Sequence, residues 1–309
     1  MPRKSVDKDI LSTLSFPRRF YEDLFRETDA IRKRLQRKSA LSICAGRILA
    51  TVFMEPSTRT RLSFQFAMTK IGGSVVDFGP LESTSTAKGE TFEDSLRMID
   101  GYSPDAIVVR SKAEGAAKKA ADICSAPVIN AGDGSNEHPT QAMLDLYTIQ
   151  KVRGKIDGLK IGLMGDLAHS RTTSSLSYAL DKFNHITIYY IAPSELQIRP
   201  EVAAALMNIK AEKAESYENI VNDLDFLYVT RLQKERFSDP TEYERLKGTY
   251  QLSRASLSKY SHLPYIMHPL PRVDELNSDI DELPAAKYFE QAKNGMYVRA
   301  ALLKRILSS

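Results

Sequence analysis

Short apolar runs alternating with helix-patterned segments predict an α/β fold for this chain. The expected architecture has two domains, each a parallel sheet flanked by helices, joined by interdomain helices. Two further observations support it. The length of 309 residues suits two domains of about 150 each. The hydrophobic fraction of 42% and charged fraction of 27% are those of a globular chain able to bury a core, which excludes a disordered or fibrous class.

The elements follow in order. Ile48–Met54 is apolar and reads as a buried strand. Pro56 and Ser57 then suit a turn and a helix N-cap, and Phe64, Ala67, Met68 and Ile71 recur at helical spacing. Next come a strand at Val75–Phe78, a helix at Phe92–Ile99, a strand at Ala106–Val109, a helix at Glu114–Asp122 and a strand at Pro127–Asn130. The small polar stretch Gly132–Asn136 marks the expected domain boundary, and Pro139 suits the first turn of a helix reaching about Val152. The second half repeats the rhythm. Its strands are Lys160–Met164, Ile186–Ile191, Phe226–Val229 and Tyr265–Met267, with a helix from about Ser170 to Phe183 and a last helix at Met296–Leu307.

Bulk properties narrow the function. The net charge of +4 is compatible with small anionic substrates and falls short of the clustered basic signal of a nucleic-acid binder. No apolar run approaches the ~20 residues of a membrane span, and Met1–Asp7 lacks the apolar stretch of a secretion signal. Cys44 and Cys124 have no metal-like spacing and read as small buried hydrophobes in a reducing compartment. The expected location is the cytoplasm, and neither a metal nor another cofactor is expected.

The most telling stretch is Glu55-Pro56-Ser57-Thr58-Arg59-Thr60-Arg61. It follows a strand and opens a helix, whose first backbone N–H groups and positive dipole end favour an anion. Two hydroxyls beyond the cap and two guanidinium groups strengthen that preference, so a phosphate is the expected ligand. In open α/β sheets such ligands bind beyond the carboxyl ends of the strands, where every motif below lies. A capped helix with solvated arginines is the plain alternative.

Ser57-Thr58-Arg59-Thr60-Arg61 resembles the carbamoyl-phosphate signature of the transcarbamoylases, which join carbamoyl phosphate to the amine of an amino acid. Four further motifs extend the resemblance over nearly the whole chain. His138-Pro139-Thr140-Gln141 matches a family His-Pro-x-Gln, which implies that His138 polarises the carbonyl of carbamoyl phosphate while Gln141 holds its amide. Arg110, at the end of a strand, matches an arginine that reaches the carbonyl and phosphate oxygens. By the same resemblance Ser57, Thr58 and Arg59 hold the phosphate, and Thr60, Arg110 and His138 face the carbonyl oxygen. Leu270 and Pro271, in His268-Pro269-Leu270-Pro271-Arg272, add stiffened backbone whose carbonyls can face the ligand.

The amino-acid side distinguishes members of the family. Gly165-Asp166-Leu167-Ala168-His169-Ser170-Arg171 lacks the third glycine of a dinucleotide site. In the resemblance Arg171 binds one carboxylate of aspartate, and Arg231 with Gln233 forms a second clamp. A dicarboxylate calls for two cationic forks, whereas a cationic substrate such as ornithine would call for an acidic residue. Ornithine-specific members carry a cysteine after the histidine that corresponds to His268, and this chain has Pro269-Leu270-Pro271 there. The Ser85–Glu90 segment resembles a loop of the aspartate-specific branch that enters the neighbouring subunit's site, with Ser85 and Lys88 as the matching residues. That implies a homotrimer with shared active sites. It leaves open whether a separate regulatory chain joins it. The expected domains are 1–136 with about 293–309 for carbamoyl phosphate, and 137–292 for aspartate. The rival readings are a transcarbamoylase for another amino acid, such as ornithine, and a non-catalytic phosphate-binding module.

Overall fold

A computed structural model describes residues 8–38, 40–79, 89–233, 237, 240–247 and 250–308. The chain forms two compact units. The first comprises Met1–Tyr147 with Lys293–Ser309, and the second Thr148–Ala292.

The first unit holds a four-stranded parallel sheet of β1 (Ile48–Phe53), β2 (Ser74–Asp77), β3 (Ala106–Ser111) and β4 (Val128–Asp133), in the order β2-β1-β3-β4. Val52, Ile107, Val109 and Val128 pack with Leu96 and Cys124 in one core cluster. The helices are α1 (Arg18–Arg37), α2 (Thr58–Lys70), α3 (Phe92–Gly101), α4 (Ala116–Ile123) and most of α5 (Pro139–Arg153). Helix α1 was not anticipated. Tyr21, Leu24, Phe25, Thr28 and Ile31 line its buried face at helical spacing. It docks on α5 through Tyr147, whose hydroxyl donates to Asp29 at 2.7 Å and whose ring lies 5.7 Å from that of Phe25.

In the second unit β5 (Lys160–Met164), β6 (Thr187–Ile191), β7 (Lys210–Ala214), β8 (Phe226–Val229) and β9 (Tyr265–Met267) make a parallel sheet ordered β7-β6-β5-β8-β9. Strand β7 was also unforeseen, because Lys210, Glu212 and Lys213 suppress the apolar signal. Charge of this kind suits an edge strand. Helices α6 (Arg171–Leu180), α7 (Pro200–Ala204), α8 (Pro240–Leu246) and α9 (Arg254–Leu257) complete the unit. Met164, Leu227, Val229, Ile266 and Tyr288 belong to its core.

Two helices run across the division in the chain, α5 and α10 (Tyr288–Leu307). The latter starts eight residues before the expected Met296. Gly132–Asn136, expected at the boundary, closes β4 and forms a hydrogen-bonded turn, while the compact units divide within α5.

Strand order locates the chemistry. In the first sheet the order reverses between β1 and β3, and in the second between β5 and β8. Such switch points open a crevice at the carboxyl ends of the strands. Ser57–Thr60 follow β1 and Arg110 is the penultimate residue of β3, while Gly165–Arg171 and Arg231–Gln233 follow β5 and β8.

Candidate active site

In the first unit, α2 begins at Thr58 with Ser57 as its N-cap. The Ser57 side chain makes no capping hydrogen bond, contrary to the simplest expectation, so the cap does not close off the N–H donors of the first turn. Thr58 and Arg59 are exposed and Thr60 is buried. Arg61, counted in the sequence among the phosphate-facing cations, is instead ion-paired with Asp77. Asp77 also accepts from Thr51 Oγ1 at 2.6 Å, so Arg61 ties α2 to the sheet.

Thr60, Arg110 and His138 converge. Arg110 Nη1 lies 3.5 Å from Thr60 Oγ1, which is itself 3.5 Å from His138 Nε2. These are long contacts between groups that all can present donors to one small volume. Arg110 also donates from Nε to Glu55 Oε1 at 2.6 Å, with both side chains largely buried. Glu55 stands in the quoted motif, but its partner could not be read from the sequence. His138 is 3% exposed and immediately precedes α5. The turn before it is fixed by Asn130 Nδ2 on Asp133 at 2.9 Å, and Glu137 accepts from the backbone N–H of Thr13 at 2.9 Å. Gln141 donates to the fully buried Asp145 at 2.9 Å, which orients its amide.

The second unit gathers the other cluster at its switch point. Gly165 has φ of +115°, and a Cβ there would sit 2.1 Å from the Thr230 carbonyl oxygen, so only glycine lets the two loops approach. Asp166, with no exposed surface, binds both sides. Its Oδ1 accepts from the backbone N–H of His169 at 3.1 Å and lies 2.9 Å from the imidazole Nδ1, and its Oδ2 accepts from the backbone N–H of Gln233 at 3.3 Å. Asp166 and His169 were quoted in the sequence without a role, and this bridge joins the loops that carry Arg171 and Gln233. Arg171 is the first residue of α6, capped by Ser170, and is partly exposed, as are Arg231 and Gln233. A cleft is lined by Gly165, Thr230, Leu232, Tyr243, Lys247 and Tyr250, and none of these three predicted aspartate contacts is among its lining residues.

His268 is a structural residue. Its Nδ1 accepts from the backbone N–H of Leu270 at 2.8 Å, so Nε2 carries the proton that faces Glu275 at 2.7 Å. Burial acts to raise the Glu275 carboxyl, but hydrogen bonds from His268 and the backbone outweigh it and hold the carboxyl below its usual range. Leu270 adopts φ of +55°, which is uncommon for a residue with a side chain, and the bond that follows it to Pro271 is cis. Arg272 pairs with Asp281 and lies over the rings of Tyr288 and Phe289. Ser85 and Lys88 lie outside the described residues.

Residues 8–151 match the family model described as aspartate/ornithine carbamoyltransferase, carbamoyl-P binding domain. Residues 157–306 match the corresponding Asp/Orn binding domain. The chain is 49% identical over 291 residues to the aspartate carbamoyltransferase catalytic subunit of Methanocaldococcus jannaschii, covering 93% of this chain and 94% of that one. It is 48% identical to the catalytic subunit of Thermofilum pendens, with 97% and 95% covered. The M. jannaschii catalytic subunit structure superposes with a TM-score of 0.89 at 46% identity, over 97% of this chain and 98% of that one. Aspartate transcarbamoylase from Trypanosoma cruzi, in complex with N-(phosphonacetyl)-L-aspartic acid, gives 0.91 at 35% identity, over 96% and 94%. Two matched domain models in order, with relatives of nearly full coverage, show that this chain belongs to the aspartate/ornithine carbamoyltransferase family.

Proposed function

We propose that this chain transfers the carbamoyl group of carbamoyl phosphate to L-aspartate, giving N-carbamoyl-L-aspartate and phosphate, an early step of pyrimidine synthesis in the cytoplasm. The observation that carries the reading is the convergence of Thr60, Arg110 and His138 beside an anion-favouring helix start. The amine nitrogen of aspartate attacks the carbonyl carbon, and the carbonyl π pair moves onto oxygen. That oxygen then returns its electrons as the carbon–oxygen bond to phosphate breaks, and the amine proton leaves with the phosphate. Three donors aimed at the transient oxyanion lower the barrier, and one such donor contributes ~3 kcal/mol. Ser57, Thr58, Arg59 and the N–H groups of the first turn of α2 hold the phosphate, and Gln141, oriented by Asp145, holds the carbamoyl amide. The Leu270 and Pro271 backbone is assigned to the same substrate on the sequence resemblance alone.

Arg171 and Arg231, with Gln233, take the two carboxylates of aspartate. The Asp166 bridge supports this reading, since it fixes the loops from which these side chains project. Much of the acceleration then comes from aligning two bound substrates. Ser85 and Lys88 are assigned to the neighbouring subunit's site in a homotrimer, on the sequence resemblance alone, and native mass measurement separates a bare trimer from a larger assembly with a regulatory chain. Purified protein incubated with carbamoyl phosphate should release phosphate and form carbamoyl-aspartate only when aspartate is added. Equal or greater turnover with ornithine, or phosphate release independent of the amino acid, would overturn the assignment.

A further inference from the structure

Arg299, on α10, carries a charge that the reaction scheme above does not use. It is 3% exposed, and among the described residues no carboxylate lies within ion-pair distance of it. Its Nη1 donates to Ser63 Oγ at 2.7 Å and its Nη2 to Thr140 Oγ1 at 3.4 Å, while its guanidinium lies 5.0 Å from the centre of the Phe64 ring. Its Nε is buried without a hydrogen-bond partner. The helix makes room for it. A Cβ on Gly295, one turn earlier, would sit 2.9 Å from Nη1. Burying a cation against hydroxyls and a ring, with no direct ion pair among the described residues, is costly, and hydroxyl partners offset only part of that cost. Burial pulls the guanidinium well below its usual range, Asp145 offsets part of the shift, and the charge of Arg110 adds to it.

Its two hydroxyl partners say where the charge acts. Ser63 lies one turn after Thr60 and donates its own hydroxyl to the Thr60 carbonyl at 2.9 Å. Thr140 stands between His138 and Gln141 in the first turn of α5. Arg299 therefore links the two helix starts that bring Thr60 and His138 together.

We propose that Arg299 is a positioning residue for carbamoyl phosphate, a fixed buried charge behind the starts of α2 and α5 that Asp145 offsets in part and the phosphate dianion compensates further on binding. This rests on the reading of Ser57–Thr60 as the phosphate site. A merely structural pin and an electrostatic one differ in what an uncharged replacement does.

The test compares Arg299→Gln, which can still donate to a hydroxyl but has no charge, with Arg299→Lys, which keeps the charge. Arg299→Met serves as a second uncharged variant should the glutamine form not fold. Inorganic phosphate affinity by titration calorimetry and the thermal midpoint with and without phosphate are read for each, with Arg59→Ala as a control. The expected result is an uncharged variant whose midpoint without phosphate equals or exceeds wild type, whose phosphate affinity falls about tenfold, and whose KM for aspartate at saturating carbamoyl phosphate is unchanged. The lysine form should regain most of the phosphate affinity. Wild-type affinity in the uncharged variant, or equal weakening in the lysine form, overturns the proposal. If Arg59→Ala also binds phosphate as wild type does, the reading of the site itself is what fails.

Discussion

Arg110 divides its guanidinium among Glu55, the Ala131 carbonyl and the Thr60 hydroxyl, and those contacts fix its orientation. Arg59, by contrast, is exposed at the start of α2, where its guanidinium can meet a phosphate at the helix N-terminus. Arg59→Ala should lose one charge-assisted pair of ~1.5–3 kcal/mol, about tenfold to a hundredfold in kcat/KM for carbamoyl phosphate, and the misalignment that follows should leave turnover nearly abolished. Steady-state kinetics at saturating aspartate measure this, and an unchanged kcat/KM would remove Arg59 from the site. The Arg272–Asp281 pair instead holds the fold. The hydrogen-bonded Arg272 guanidinium keeps the Asp281 carboxyl below its usual range, outweighing the opposing effect of burial. A depressed carboxylate contributes stability that is present above its unfolded value of about 3.9 and is lost as pH falls through the folded one. Asp281→Asn should therefore cost stability at pH 7, with the gap to wild type narrowing below about pH 4. Urea unfolding at several pH values tests the sign, and a gap that widens in acid would refute it.

At the scale of elements, the sheets were legible where apolar runs announced them, as in β1 and β8, and dark where they did not. Strand β7 is a charged edge, and α1 spreads its apolar positions too thinly among arginines to stand out without the helix face they share. The site was legible as short motifs after strands. What the sequence withheld were the long-range partners. These are Glu55 for Arg110, Asp145 for Gln141, Asp166 between two loops, and Asp77, which diverts Arg61 from the anion. Such pairings depend on which strands lie side by side, and parallel order is not written in local pattern. Gly165 shows the same dependence, since the obstacle to a side chain there is the Thr230 carbonyl, 65 positions further on. Gly165→Ala should destabilise the protein by roughly 1–3 kcal/mol. By moving the loop that ends in Arg231 and Gln233, it should also raise the KM for aspartate more than that for carbamoyl phosphate. Thermal denaturation and kinetics together check this, and a variant with both parameters intact would show that the loops have room to spare.

At the scale of the whole molecule, the proposed phosphate contacts lie in the first unit and the proposed aspartate contacts in the second. If Lys88 serves a neighbouring subunit, Lys88→Ala and Arg59→Ala should each be nearly inactive, and trimers reassembled from a mixture of the two should recover part of the activity. Hybrids no more active than their parents would place Lys88 within its own chain's site or remove it from the chemistry. The central claim is that carbamoyl phosphate and aspartate are bound together for one reaction. Titration calorimetry with N-(phosphonacetyl)-L-aspartate, which carries a phosphonate and a dicarboxylate in one molecule, tests it most directly. The account predicts one tight binding event per chain, weakened about tenfold or more by Arg59→Ala and, separately, by Arg231→Ala. Binding that depends on Arg59 but is indifferent to Arg231 would contradict it.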